Sequence, residues 1–108
     1  MAQDFRRFTN NNTGTSAATV FTANSYDAII GISLSNVSAS EITASAYIND
    51  GTNDIYLIKD APIPVGSSLQ VIDGGAKVVV QNADVLYVVS NTASSLDSIV
   101  SVVDAIST

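Results

Sequence analysis

The chain has 108 residues, is 46% hydrophobic and only 13% charged, and carries a formal net charge of −6 with neither His nor Cys. That length suits one domain around one hydrophobic core. Without imidazole or thiol, Ser-His-Asp and Cys-His catalysis, zinc sites of ordinary composition and disulfides are excluded, and an acidic body without a basic stripe does not suit nucleic acid.

The opening residues, MAQDFRRFTN, lack the apolar core of a secretory signal, and no apolar run approaches the ~20 residues that span a bilayer. The chain therefore reads as soluble and made in the cytosol, with no membrane partner. Phe5, Arg6, Arg7 and Phe8 gather half of the positive charge and two of the three Phe residues into four positions. Arginine and aromatic side chains are enriched at interface hot spots, so these four are the candidate partner-binding residues. Two readings fit them: an arm that seats Phe5 and Phe8 in an acidic neighbour, or a first strand whose Phe residues cover the chain's own core. The Asn- and Thr-rich patch that follows predicts an arm and linker over 1–12 and a β-sandwich domain over 13–108.

From Thr15 onward the pattern has period two. TSAATVFT, residues 15–22, reads as a strand. In DAIIGISLSN, Ala28, Ile30, Ile32 and Leu34 alternate with Ile29, Gly31, Ser33 and Ser35, and in EITASAYIND, Ile42, Ala44, Ala46 and Ile48 alternate with Thr43, Ser45 and Tyr47. Such alternation predicts strands with one buried face. Asn49 to Asp54 supplies hairpin chemistry before the run Ile55–Ile58. Pro62 and Pro64 cannot donate to a central ladder and are expected to end that strand. Leu69–Ile72, Ala76–Val80, Val85–Val89 and Ser98–Val103 follow, punctuated by expected turns at Asp73-Gly74-Gly75 and Asn82-Ala83-Asp84. Leu96, Ile99, Val100 and Val103 also fall at helical spacing, but their β-branched company favours a strand. About eight short strands at this spacing predict an all-β fold, a single antiparallel β-sandwich, immunoglobulin-like or jelly-roll-like, with an N-terminal arm.

Candidate chemistry is sparse. Lys59 or Lys77 could pair with a serine, but serines are too many for that to carry weight. Asp50, Asp54, Asp60, Asp73 and Asp84 fall in expected turns, where local backbone hydrogen bonding explains them. Asn49, Asp50, Asn53 and Asp54 offer oxygen ligands without the ligand spacing of a calcium loop. KDAPIPVGSSLQVIDGG, residues 59–75, has no Gly-Lys-Ser/Thr and no following helix, so it reads as a pair of connectors and not a phosphate cradle. Asn11-Asn12-Thr13 and Asn36-Val37-Ser38 match glycosylation sequons, an accident expected in an Asn-rich chain without a signal peptide. No catalytic residue, cofactor or metal is expected, and the chain does not read as an enzyme.

Taken together, IIGISLSNVSAS and the long segment from AYINDGTNDIYLIKDAPIPVGSSLQ to SLDSIVSVV resemble small virion proteins of tailed bacteriophages, marine and cyanobacterial ones in particular. The resemblance spans about residues 26–104 and rests on strand patterns and turns. It implies a sandwich domain on the particle with no enzymatic residues to carry over. The function it suggests is a capsid decoration, or cement, protein that binds the outer surface of the major capsid shell and stabilises it. Such a protein would be made in the host bacterial cytoplasm and held on the virion by repeated contacts with the major capsid protein, as a homo-oligomer, with a trimer matching local three-fold positions of a shell. A tail, neck or fibre module, and a receptor- or carbohydrate-binding sandwich using Tyr47, Tyr56 or Tyr87, are the alternatives.

Overall fold

Alternating apolar and polar residues can bury one face of a strand only if a second sheet covers it, and two four-stranded sheets do so here. The computed structural model describes residues 4–107, with the backbone alone described over 73–76 and 105–107. In chain order the strands are β1 (Asp4–Thr13), β2 (Ala18–Thr22), β3 (Tyr26–Asn36), β4 (Ile42–Asn49), β5 (Asp54–Ile63), β6 (Ser68–Val80), β7 (Val85–Ser90) and β8 (Leu96–Ser107). One sheet has the order β1-β8-β3-β6 and the other β2-β7-β4-β5. Every ladder is antiparallel, and the pairs β1·β8, β2·β7, β3·β6 and β4·β5 are those of one long hairpin wound into two layers. This is the jelly-roll arrangement. An immunoglobulin sandwich would pair its first two strands, whereas β1 and β2 lie in different sheets.

The core lies between the layers. From the first sheet come Ile29, Ile32, Leu34, Ile72, Val80, Leu96, Val100 and Val102, and from the second Val20, Phe21, Ile42, Ala44, Ala46, Ile48, Ile63, Leu86 and Val88. A fully buried Leu or Ile stabilises the fold by roughly 1.5–3 kcal/mol, so this cluster drives assembly of the two sheets.

Two expectations need correction. Of the predicted buried face of β3, Ala28, Ile32 and Leu34 are buried, but the alternation breaks at the middle: Ile29, expected outside, is fully buried and Ile30, expected inside, only half so. The register of β3 shifts between Ile29 and Gly31 on both of its ladders, and an extra residue at a bulge reverses the facing of everything before it.

The expected turn at Asp73-Gly74-Gly75 is instead the interior of β6. Ile29 stands opposite Val78 and Gly31 opposite Asp73, so residues 74–77 face Ile30 alone. The glycines serve a wide bulge within one strand, and the side chain of Asp73 lies outside the described residues. Pro62 is still paired, opposite Thr43, which is tolerated because β5 is an edge strand, but the strand does end at the two prolines as expected, at Ile63 between them. The turn comes only after it, where Ser67 N–H donates to the Pro64 carbonyl at 3.1 Å and Gly66 adopts φ 72°, as the third position of a type II turn requires. Expected and observed strand numbers agree only because one predicted pair merges into β6 while β1 is added.

Buried polar side chains lock the ends of the sandwich. Asn36, 4% exposed, donates from Nδ2 to the carbonyls of Ser40 (2.8 Å) and Ile63 (2.9 Å), and its Oδ1 accepts from the backbone and hydroxyl of Ser38. All four hydrogen-bonding positions of the amide are used, tying the end of β3 to the end of β5 in the other sheet. After β7, the Ser95 hydroxyl donates to the Thr92 carbonyl at 2.7 Å, which leaves Ser90 as donor in its 2.6 Å bond to Ser95.

Candidate interaction surface

Strand β1 contains all four candidate binding residues. The segment expected as an arm and linker lies, over residues 4–12, along β8, with Asp4 to Asn10 opposite Asp104 to Ser98 without a break. The Asn-rich patch supplies the irregularity that ends this run: Asn12 has φ 54° and its N–H donates to the Asp97 carboxylate at 2.9 Å.

The two faces of β1 separate the four residues. Phe8 turns inward, half-buried, with its ring centroid 4.6 Å from that of Phe21. Arg6 lies over Phe8, 5.5 Å from the ring centroid, and pairs with Asp104 at 3.5 Å. Phe5 and Arg7 point the other way, onto the outer face of the first sheet, and Phe5 is 80% exposed. The pattern Phe-Arg-Arg-Phe therefore supplies one core residue, one rim cation and two outward groups.

Phe5 does not stand alone. Its cross-strand partner is Val103, which stands opposite Ala28, which stands opposite Val79. Directly opposed residues share a face, so one apolar row crosses all four strands on the outer side of the sheet, with Ala28 itself covered by its larger neighbours at 3% exposed. Val79 is 57% exposed at its far end. The next residues along the outer face are mostly polar: Arg7 opposite Ser101, then Thr9, Ser33 and Gln70 in a row that also holds Ile99, 44% exposed, where Gln70 Nε2 donates to the Ser33 hydroxyl at 3.0 Å. The continuous apolar row lies at one end of the sheet.

A second constellation lies on the outer face of the other sheet. Tyr47 on β4 is opposite both Tyr56 on β5 and Tyr87 on β7. Its ring centroid is 4.9 Å from that of Tyr56 and 5.3 Å from that of Tyr87, the latter pair inclined by only 24°. Lys59 Nζ lies 5.0 Å over the Tyr56 ring. Burial holds the Tyr47 phenol above its ordinary value of 10.0, with the Asp54 charge and the two neighbouring tyrosines adding to the effect. Each ring therefore packs against a neighbour, and Lys59 lies over Tyr56, which remains 43% exposed. The sequence reading placed the three tyrosines on strands without bringing them into contact.

The remaining candidates have structural roles. Asn49 Oδ1 accepts from Gly51 N–H and Asn49 Nδ2 donates to Asp54, while Asp50 accepts from the N–H groups of Thr52 and Asn53. This loop spends its oxygens on its own turn, with Gly51 at φ 97°. Asp60 adopts φ 51° at an irregularity of β5, where its N–H donates to the Ser45 hydroxyl at 2.9 Å. Among the described residues, no three His, Cys, Asp or Glu side chains are grouped to hold a metal. The sequon residue Asn36 is the buried hub described above.

The Asp50 carboxyl is held below its ordinary value of 3.8, first by the hydrogen bond from Asn53 and next by that from Thr52. A lowered folded-state value means that the carboxylate stabilises the hairpin above pH 3.8, a contribution lost as the pH falls through the lowered value. Asp50→Ala should therefore melt earlier than the unaltered protein at neutral pH, with the gap narrowing in acid. Melting curves recorded across that range test this, and a pH-independent gap would contradict it.

No protein-family model matches the sequence, and no curated protein matches it. Solved structures do. A chain from the acidic stable capsid of Helicobacter pylori bacteriophage KHP30 superposes with a TM-score of 0.62 at 9% identity, over 95% of this chain and 87% of that one. A chain from the disulfide-linked pili of Bacillus endospore appendages superposes with a TM-score of 0.55 at 16% identity, over 98% and 88%. The likeness is one of fold. Nearly the whole of each chain takes part in it, so the sandwich matches as a unit and not through one shared hairpin. This chain, having no Cys, contains none of the residues from which disulfide links are made.

Proposed function

We propose that the protein is a non-enzymatic structural subunit of a bacteriophage virion, and specifically a capsid decoration protein on the outer surface of the major capsid shell. The observation that carries this reading is the fold shared, over nearly its full length, with a chain of a phage capsid. The surface chemistry supports it. A small jelly roll with an apolar row on one sheet face, Arg6 and Arg7 at the rim, and few charges elsewhere is suited to lying against other subunits.

In this reading Phe5, Arg6 and Arg7 make the contact with the shell, and Phe8 fixes β1 from beneath. Weak contacts repeated over many shell positions retain the subunit. An acidic body, −7 once the opening ten residues with their one acid and two arginines are set aside, keeps particles dispersed. The likeness to a pilus chain favours a second reading, a repeating subunit of a tail or other filament.

Copy number separates the two. In purified virions resolved on a stained gel, a decoration protein is expected at a stoichiometry comparable with the major capsid protein and on the head. A small fraction of that amount, or recovery with detached tails, would reject the capsid assignment in favour of the filament reading.

A further inference from the structure

A sandwich of two open sheets has four edge strands, each a template for pairing with another chain unless something blunts it. Three are blunted here. Strand β2 has only five residues, with a register shift around Val20. Strand β5 contains Pro62, two register shifts and the positive φ of Asp60. Strand β6 is broken by the bulge opposite Ile30 and by a second shift. Strand β1 differs: Asp4 to Asn10 run in one register along β8 with no Pro or Gly. Alternate residues of that run turn N–H and C=O away from β8.

Side chains beside this edge are arranged in two directions. On the outer face an open depression of about 340 Å³ lies among Phe5, Arg7, Ile30 and Ser101. On the opposite side a smaller recess of about 100 Å³ lies among Arg6, Phe8, Thr22 and Asp104. An added strand sends successive side chains to opposite faces, so both recesses are within reach of one segment.

Charge decides what that segment is. Among the described residues Arg6–Asp104 is the only ion pair, Arg6 remains 52% exposed, and Arg7 is exposed. A second copy pairing β1 with β1 across a two-fold axis, with the regular run fully overlapped, would set its central residue, Arg7, directly against the Arg7 of the copy. Like charges directly opposed destabilise a ladder. An acidic strand meets both arginines favourably.

We propose that β1 accepts an added strand from a partner subunit. That strand is an extended segment with acidic side chains at the two successive positions facing Arg6 and Arg7, and an apolar side chain beside Phe5. Main-chain hydrogen bonds along Asp4 to Asn10 supply affinity, and the two arginines supply selectivity. This deepens the assembly reading and rests on it for the source of the strand, since shell subunits are the neighbours within reach.

The test uses the full chain, labelled with nitrogen-15, and the end-capped peptide Thr-Thr-Val-Glu-Glu-Val-Thr, with a control in which both Glu are Lys. The acidic peptide is expected to shift the amide signals of β1 and slow their hydrogen exchange. The Lys peptide should bind about tenfold more weakly, two opposed pairs contributing somewhat under 1 kcal/mol each. Arg7→Glu, an exposed change whose fold the same spectrum verifies, should erase or reverse that preference. Equal binding of the two peptides, shifts confined to other strands, or no shift at millimolar peptide would overturn the proposal. Peptide binding by a protein absent from virions would sink the capsid reading and leave the edge intact; abundant virion protein that ignores the peptide would do the opposite.

Discussion

Asn36→Asp, a change that preserves size and shape, is expected to cost the protein about 3 kcal/mol and to lower Tm by roughly 10–20 °C. The native amide donates both of its hydrogens to the Ser40 and Ile63 carbonyls and accepts twice from Ser38. An ionised carboxylate keeps the acceptor side and places an anion against two carbonyl oxygens. The Ser38 hydroxyl has one proton, which can go either to the side-chain oxygen of residue 36 or to the Ser40 carbonyl at 2.9 Å, so Ser40 has a substitute donor within reach and the buried Ile63 carbonyl bears most of the penalty. Asn36→Ala should cost a similar amount. The Asp variant should recover in part on acidification, since a protonated carboxyl can donate one of the lost bonds. Thermal melts of the two variants at neutral and acid pH check this, and a loss below ~1 kcal/mol in both would show that the hub is not what joins β3 to β5.

Deleting residues 1–8 is expected to destabilise the sandwich by about 3 kcal/mol or more, because Phe8 leaves the core and Phe21, Val100 and Val102 lose their cover. Loss of particle binding on deletion would therefore say nothing specific about contact. Phe5→Ser with Arg7→Ser is the discriminating variant. Both side chains point outward, so Tm should change by under ~0.5 kcal/mol equivalent, while retention on purified shells should fall tenfold or more if these are hot-spot residues. Undiminished retention of the double variant would remove β1 from the contact with the shell. A large fall in Tm would show instead that Phe5 is needed for the fold.

The strands most visible in the sequence were those whose alternation is undisturbed. In β4, Ile42, Ala44, Ala46 and Ile48 are all buried as the period requires, and β7 and β8 read as strands from their Val-rich runs. The hairpin of Asn49 to Asp54 was equally legible, because turn chemistry is local. Reading failed where a bulge changed the phase. Nothing in DAIIGISLSN marks Ile29 as a core residue, since the shift between Ile29 and Gly31 is set by what β6 and β8 present on either side. The Gly-Gly of β6 looked like a turn because glycine serves bulges and turns with the same conformational freedom.

Phe-Arg-Arg-Phe stood out from composition alone, yet its four residues do three different things. Which Phe is buried depends on the face of β1 that meets Phe21, and that follows from pairing with β8 some ninety residues away. Asn36 gave no signal beyond a sequon, because its value lies in reaching Ile63 on the other sheet. The tyrosines of β4, β5 and β7 were visible singly, and their stacking depends on the register that aligns three separate strands.

Period-two alternation, turn residues and the lack of His and Cys are local or compositional properties. They suffice for an all-β sandwich without the usual catalytic groups, since one-sided burial and turn geometry need only neighbours in the chain. The choice of jelly roll over immunoglobulin order, the open edge of β1 and the apolar row from Phe5 to Val79 arise from which strands pair across the whole length of the chain. Pairing energies between distant strands depend on register and bulges, and those are settled only when both sheets close over one core.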